Sequence, residues 1–191
     1  MAAFTFELVS QKPARRRERE AVFLLLVGRA GPFGEVSLTI SRFPREARLV
    51  GEGLPEATIS HPDVLKRRYI ALDSQTRLIV GGVTAGISQH RRAFRREDRG
   101  LGITLGEREY IYLCTEEGEE LRHRERGPVV RRGSVDATAG PKFTMVVLPE
   151  ADPTDLALAL VMQGADTSGL TVAGTIISGV MSFLNSGYGN R

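Results

Sequence analysis

Apolar residues in this chain fall in short stretches separated by turn residues, and over most of the length they alternate with polar ones at the two-residue period of a β-strand. Phe4 to Val9 alternates in this way and predicts a first strand, followed by the polar break from Lys12 to Glu20. Ala21 to Gly28 predicts an apolar strand, and Ala30-Gly-Pro-Phe-Gly34 a turn. Beyond it, Glu35 to Ser41 places Val36, Leu38 and Ile40 on one face, so the two runs predict a hairpin. The same grammar returns in Tyr69–Leu72 and Thr76–Val80 around Asp73-Ser-Gln75, and in Tyr110–Cys114 and Glu120–Arg124 around Gly118. With no helical period between these runs, an antiparallel meander is expected rather than a parallel βαβ sheet.

The pattern changes near the C-terminus. Phe143 to Leu148 predicts a strand, and Pro149-Glu-Ala-Asp-Pro-Thr-Asp155 follows it. Asp152 is suited to an N-cap, Pro153 to the first helical position and Asp155 to the positive end of the helix dipole. A helix is therefore expected from about residue 154 to 163, with Gly164 as its stop. The Leu and Ala alternation from Leu156 to Leu160 also fits a buried strand, but the caps decide for a helix. Leu156 to Met162 is apolar on every side, so that helix must be enclosed. The fold class expected is mainly β, an antiparallel β-barrel or sandwich enclosing one hydrophobic C-terminal helix.

The residues Phe143–Leu148, Pro149, Asp152 and Leu156–Met162 resemble the end of the tubby C-terminal-like superfamily, which includes phospholipid scramblases and LURP-one proteins. The resemblance is architectural. It implies a β-barrel of about a dozen strands threaded by an apolar helix. The proline-rich tail and cysteine cluster of the scramblases have no counterpart here, and no binding residue of the superfamily maps onto a position of this chain.

Composition adds charge to this picture. The net charge is only +3, yet 23 of the 26 basic residues are arginine, the side chain best suited to bidentate pairing with carboxylate or phosphate. The arginines cluster at 15–17 with Arg19, in Lys66-Arg-Arg68, in Arg91-Arg-Ala-Phe-Arg-Arg96 and at Arg131-Arg132. Arg91, Arg92, Phe94, Arg95 and Arg96 form the best candidate for binding an anion or a partner, because an aromatic ring stands between guanidinium pairs. Glu97 and Asp98 follow at once, and no recognition helix or aromatic RNA-binding motif accompanies them, so nucleic acid ranks behind an acidic protein or an anionic membrane surface.

Catalytic constellations are missing from the sequence. His61, His90 and His123 lack the spacing of zinc ligands; Gly81–Gly86 has neither the phosphate-loop lysine nor the dinucleotide spacing; Gly133-Ser134 lacks the second glycine of a nucleophile elbow. The expectation is no cofactor and no metal. Cys114 with His123 on a neighbouring strand is the one conceivable nucleophile and base, but Glu116, Glu117 and Glu119 would raise the thiol pKa. The acidic run Glu116–Glu120 is expected at a hairpin tip, paired at the surface with Arg122, Arg124 and Arg126.

One cysteine cannot make an internal disulfide, and the first seven residues lack the order of a signal peptide, so a reducing cytoplasm is expected. Thr167 to Asn190 carries no charge, and Val172, Ile176, Val180, Phe183 and Leu184 share one helical face, a stripe that gains by being covered. The expected organisation is a β-rich domain over 1–166 and a docking tail over 167–191. The expected role is a noncatalytic binding or structural subunit, with a protein partner or a second copy as its target.

Overall fold

The computed structural model describes residues 2–13, 20–62, 69–89, 100–115, 118–133 and 142–170. Twelve strands close into one barrel: β1 (Phe4–Gln11), β2 (Val22–Arg29), β3 (Glu35–Ser41), β4 (Glu46–Gly51), β5 (Ala57–Ser60), β6 (Arg77–Val80), β7 (Val83–Gln89), β8 (Leu101–Leu105), β9 (Arg108–Thr115), β10 (Gly118–His123), β11 (Gly127–Gly133) and β12 (Lys142–Val147). Each strand pairs antiparallel with its neighbours in sequence, and β1 seals the ring on β12 from Phe4 opposite Val147 to Val9 opposite Lys142. Of the two expected architectures, the chain adopts the barrel, which leaves no strand edge unpaired.

The two-residue period does what the pleat requires. Val36, Leu38 and Ile40 of β3 point inward and are buried, while Glu35, Ser37 and Thr39 between them face outward. Turns between strands use glycine where the backbone must enter the left-handed region. Gly81 and Gly82, at φ 57° and 80°, form the two-residue link from β6 to β7, so this glycine cluster is a hairpin turn.

The predicted helix is α1, Pro153–Val161, extended by a 3₁₀ turn from Met162 to Gly164. Its N-terminus is capped as the sequence requires: Asp152 Oδ1 accepts from the N–H groups of Thr154 (2.9 Å) and Asp155 (3.0 Å), and Asp155 Oδ2 accepts from the Asp152 N–H (2.9 Å). Every residue from Leu156 to Met162 is buried. The helix packs against β4, β5 and β6 on one side and β10 and β11 on the other, walls that lie across the ring from each other, so α1 fills the lumen. Gly164 lets the chain leave against β4, where a Cβ would collide with that of Ala47.

One expected hairpin does not form. Tyr69–Leu72 is not a strand paired with β6; β6 pairs with β5 and β7 instead. Ile70 bridges Ala165 in parallel, donating its N–H to the Gly164 carbonyl (2.9 Å) and accepting from the Asp166 N–H (2.7 Å). Its apolar alternation has another cause: Ile70 and Leu72 are buried where the chain leaves the helix. The Asp73–Thr76 turn holds, with Asp73 Oδ1 accepting from the Gln75 N–H (2.8 Å). No helix among the described residues is long and apolar enough to cross a membrane.

Leu158 sits fully buried on α1 between the opposing walls. Leu158→Ala should lower unfolding stability by about 2–5 kcal/mol, through lost transfer energy and a lumen cavity that a closed barrel cannot collapse. Urea denaturation followed by circular dichroism measures it.

Candidate functional site

Inward-facing polar side chains gather at both ends of α1. At its N-terminus, Asp155 is wholly buried and receives two parallel bonds from Arg126, Nη1 to Oδ2 at 2.9 Å and Nη2 to Oδ1 at 3.0 Å. Tyr110 Oη donates to Asp155 Oδ1 at 2.8 Å, and Arg108 Nη1 donates to Asp152 Oδ2 at 2.6 Å. Arg126 also donates to the Glu150 carbonyl (2.6 Å), tying the β10–β11 turn to the segment that enters the helix. Two acids at the positive end of the dipole and two arginines beyond them make a charge-assisted clamp. The ring of His123 meets Tyr110 edge-on at 5.1 Å.

At the C-terminus the residues are Tyr112, Cys114, Glu119, Arg132, Gln163 and Thr167. Gln163 Nε2 donates to Tyr112 Oη (3.0 Å), to Glu119 Oε2 (3.3 Å) and to the Ala159 carbonyl (3.1 Å). Arg132 donates through Nη1 to Gln163 Oε1 (2.6 Å) and pairs through Nη2 with Glu119 Oε1 (3.0 Å), its guanidinium 5.1 Å from the centre of the Phe143 ring. Thr167 Oγ1 donates to Glu119 Oε1 (2.7 Å), and Tyr112 Oη donates to the same carboxylate. Arg132 Nε is buried without a partner.

Burial favours the neutral forms of the phenols and the thiol among these groups. Burial and then the Glu119 charge push the Cys114 thiol up to about 12, so it stays protonated near neutral pH. The Tyr112 phenol is driven well above its ordinary value by burial and by Glu119, so it stays protonated while it donates to Glu119 and accepts from Gln163. Burial also raises Tyr110, to about 12, and Asp155 adds to the rise. Asp152 moves the other way: burial pushes it up, but the Asp155 N–H and the Arg108 guanidinium outweigh burial and hold it below the usual carboxylate range. Among the described residues no three His, Cys, Asp or Glu side chains converge as a metal site requires.

Cys114 and His123 are not a pair. Cys114 lies opposite Glu119 and His123 opposite Tyr110, four positions apart along β9, or about 13 Å at a strand's rise. The acidic run also differs from expectation. Glu120 faces outward and pairs with Arg122 and, at 2.6 Å, with Arg131, but Glu119 turns into the lumen. Arg131 and Arg132 divide between the two faces in the same way. Sequence reasoning missed Glu119, Arg132 and the burial of Asp155. The usable signal was register, because Tyr110 and Tyr112 point inward and the cross-strand partners of Tyr112 and Cys114, Leu121 and Glu119, must follow them.

The predicted anion-binding residues Arg91, Arg92, Phe94, Arg95 and Arg96, and the predicted docking residues Val172, Ile176, Val180, Phe183 and Leu184, lie outside the described residues. The strands around them still have a fixed sense. Because neighbours are antiparallel throughout, successive connections join strand ends at opposite mouths of the barrel, and alternate ones share a mouth. The connections 12–21, 42–45, 61–76, 90–100, 116–117 and 134–141 join strand ends at the mouth where α1 finishes, and contain 15 Lys and Arg against 9 Asp and Glu. All 15 fall in the first four, which follow one another around the ring. At the other mouth, 30–34, 52–56, 81–82, 106–107, 124–126 and 148–152 contain 2 basic and 6 acidic residues. A net charge of +3 thus conceals an uneven division of charged residues between the two sets of connections.

Compared with protein-family models, with curated proteins and with solved structures, the chain finds no match.

Two outcomes follow from the clamps. Asp155→Ala leaves Arg126 without its buried partner and should cost about 3–5 kcal/mol, read by urea denaturation. Asp152, Glu120 and Asp73 all have folded pKa values below their unfolded ones near 4. Their contribution is present above pH ~4 and is lost as pH falls through the folded values, so the melting temperature should drop on acidification below pH ~4. A separate check is maleimide labelling of Cys114, expected to be slow at neutral pH in the folded chain and fast in denaturant.

Proposed function

We propose that this chain is a noncatalytic binding or structural subunit that enters a protein assembly through the mouth where α1 ends, using its arginine-rich connections and the uncharged tail. The observation that carries the reading is topological. Four alternate connections rich in arginine join strand ends at one mouth, and Leu170, the last described residue, follows α1 at that mouth as well. A second support comes from inside the barrel, where α1 occupies the lumen and the buried carboxylates hold the helix rather than a substrate. Arginine and aromatic residues are favoured in protein interfaces, and an uncharged apolar stripe gains most from a covering partner. The part of the tail that is described, Thr167 to Leu170, already packs on the barrel through Thr167 and Leu170.

A second reading follows from the resemblance to the tubby C-terminal-like superfamily, whose implied architecture is a barrel of about a dozen strands around an apolar helix. The closed twelve-strand barrel around α1 supports that reading. On it, the basic mouth would meet anionic lipid headgroups at a membrane surface.

Removing residues 171–191 should abolish co-sedimentation with the native complex while the barrel keeps its cooperative melt; a truncated chain that still co-sediments overturns the docking role of the tail. Neutralising Arg91, Arg92, Arg95 and Arg96 separates the two readings. On the lipid reading, binding to acidic vesicles falls steeply with this change and with added salt, and equal binding to neutral vesicles counts against it.

A further inference from the structure

Of the four large apolar side chains most exposed among the described residues, Val9 (47%), Phe43 (69%) and Val50 (50%) lie on one sector of the barrel, β1 to β4. Register joins two of them in a row. Val9 stands opposite Val27, Val27 opposite Ser37 and Ser37 opposite Val50. One step nearer the mouth where α1 finishes, Gln11 stands opposite Leu25 and Leu25 opposite Thr39. The chain neighbours Leu8, Leu26, Leu38 and Leu49 are fully buried in the lumen, so the pleat puts all seven residues of the two rows on the outer face. None of the seven is charged. Lys142 and Arg48 at the edges of the patch are already paired, with Glu7 (2.7 Å) and Glu56 (2.6 Å). Phe43 stands on the rim beyond the patch, in the turn between β3 and β4.

Size and reach select what covers this patch. Seven positions of a sheet occupy about 230 Å², far less than the ~800 Å² that each partner gives to a specific interface between free molecules. The wall of a closed barrel is also convex, so a second barrel would meet it only along a strip. A segment tethered to the same molecule needs less area, because its effective concentration is on the order of millimolar. Residues 171–190 carry no charge, as the patch carries none, and Leu170, the last described residue, follows α1 at the mouth nearer the patch. Twelve strands about 4.8 Å apart and tilted about 40° make that mouth about 24 Å across. The Val9–Val50 row lies no more than five residues from the strand ends there, or about 17 Å. The 21 residues from 171 to 191 reach up to about 70 Å when extended, which covers both distances. At helical rise Val172 to Leu184 would span about 18 Å, close to the ~14 Å of three strand spacings from Val9 to Val50.

We propose that in the free chain residues 171–191 fold back over the rim and cover the outer wall of β1–β4 with the stripe of Val172, Ile176, Val180, Phe183 and Leu184. The seat itself does not depend on the assembly role. Where that role holds, the tail is shielded until a partner takes it, and the partner that takes it uncovers the wall.

A benzophenone photocrosslinker in place of Val50 in the full chain reads the seat by mass spectrometry. Crosslinks should join position 50 to residues 171–191 of the same chain. The same probe in place of Thr104, on the outer face of β8 between the buried Ile103 and Leu105, should give about tenfold fewer, and equal yields from the two positions overturn the proposal. In an equal mixture of isotopically heavy and light chains, crosslinks that join heavy to light overturn it as well, because a second copy then supplies the tail. So does the absence of any crosslink to the tail. Val9→Glu with Val50→Glu charges the patch without touching the lumen, so chymotrypsin cleavage after Phe183 should accelerate about tenfold while the barrel's cooperative melt stays unchanged. An unchanged cleavage rate counts against the seat. A tail that crosslinks to the wall in a chain whose truncation leaves co-sedimentation intact rejects the docking role alone; a tail that never crosslinks, while truncation abolishes co-sedimentation, rejects the seat alone.

Discussion

An all-apolar helix in water is the constraint from which the rest of this fold follows. Leu156 to Met162 presents no polar face, so the helix cannot lie on a sheet as an amphipathic one would and must be surrounded. A closed ring of twelve strands achieves this with one set of side chains, because the inward residues of every strand cover the helix while the hydrogen-bond ladder has no edge. Burying the helix entirely creates a second requirement, since its terminal N–H and C=O groups leave water with it. At one end Asp152 accepts from the Thr154 and Asp155 N–H groups, with the charge sign the helix dipole favours, and at the other Gln163, held by Arg132 and Glu119, donates to the Ala159 carbonyl.

The clamps also limit what the interior can do. Each carboxylate facing the helix is held by arginine or by hydroxyl donors, and the phenols and the thiol are pushed toward their neutral forms by burial.

The fold was legible where local chemistry has few solutions. Asp152, Pro153 and Asp155 each prefer one position at a helix start, and together they located the beginning of α1 to within a residue; Gly164 ends the 3₁₀ turn that follows, where its lack of a Cβ serves close packing on Ala47 and not a left-handed cap. Period-two alternation likewise revealed strands such as Glu35–Ser41, though it could not distinguish barrel from sandwich, because closure is decided by the pairing of β1 with β12, far apart in sequence. Tyr69–Leu72 misled for a related reason: an alternating segment looks the same whether it pairs beside β6 or covers a helix end, and only the Ile70–Ala165 bridge separates the two. The polar clusters were the least legible. Glu119 and Arg132 each stand beside a like-charged neighbour, Glu120 and Arg131, on the outer side of the sheet, so composition reads both as surface pairs and only cross-strand register divides them.

Charge segregation between the mouths follows from the same topology and needs no long-range coding in sequence. In an up-and-down barrel every second connection returns to the same end, so the arginine-rich connections all join strand ends at one mouth. The intervening connections, 52–56, 106–107 and 148–152, carry mostly glutamate and aspartate and accumulate at the other. Neither pattern is visible in the net charge, nor in any window shorter than a pair of hairpins. Alternation with a period of two residues decides what lies inside this barrel, and alternation with a period of two strands decides what its ends present to other molecules.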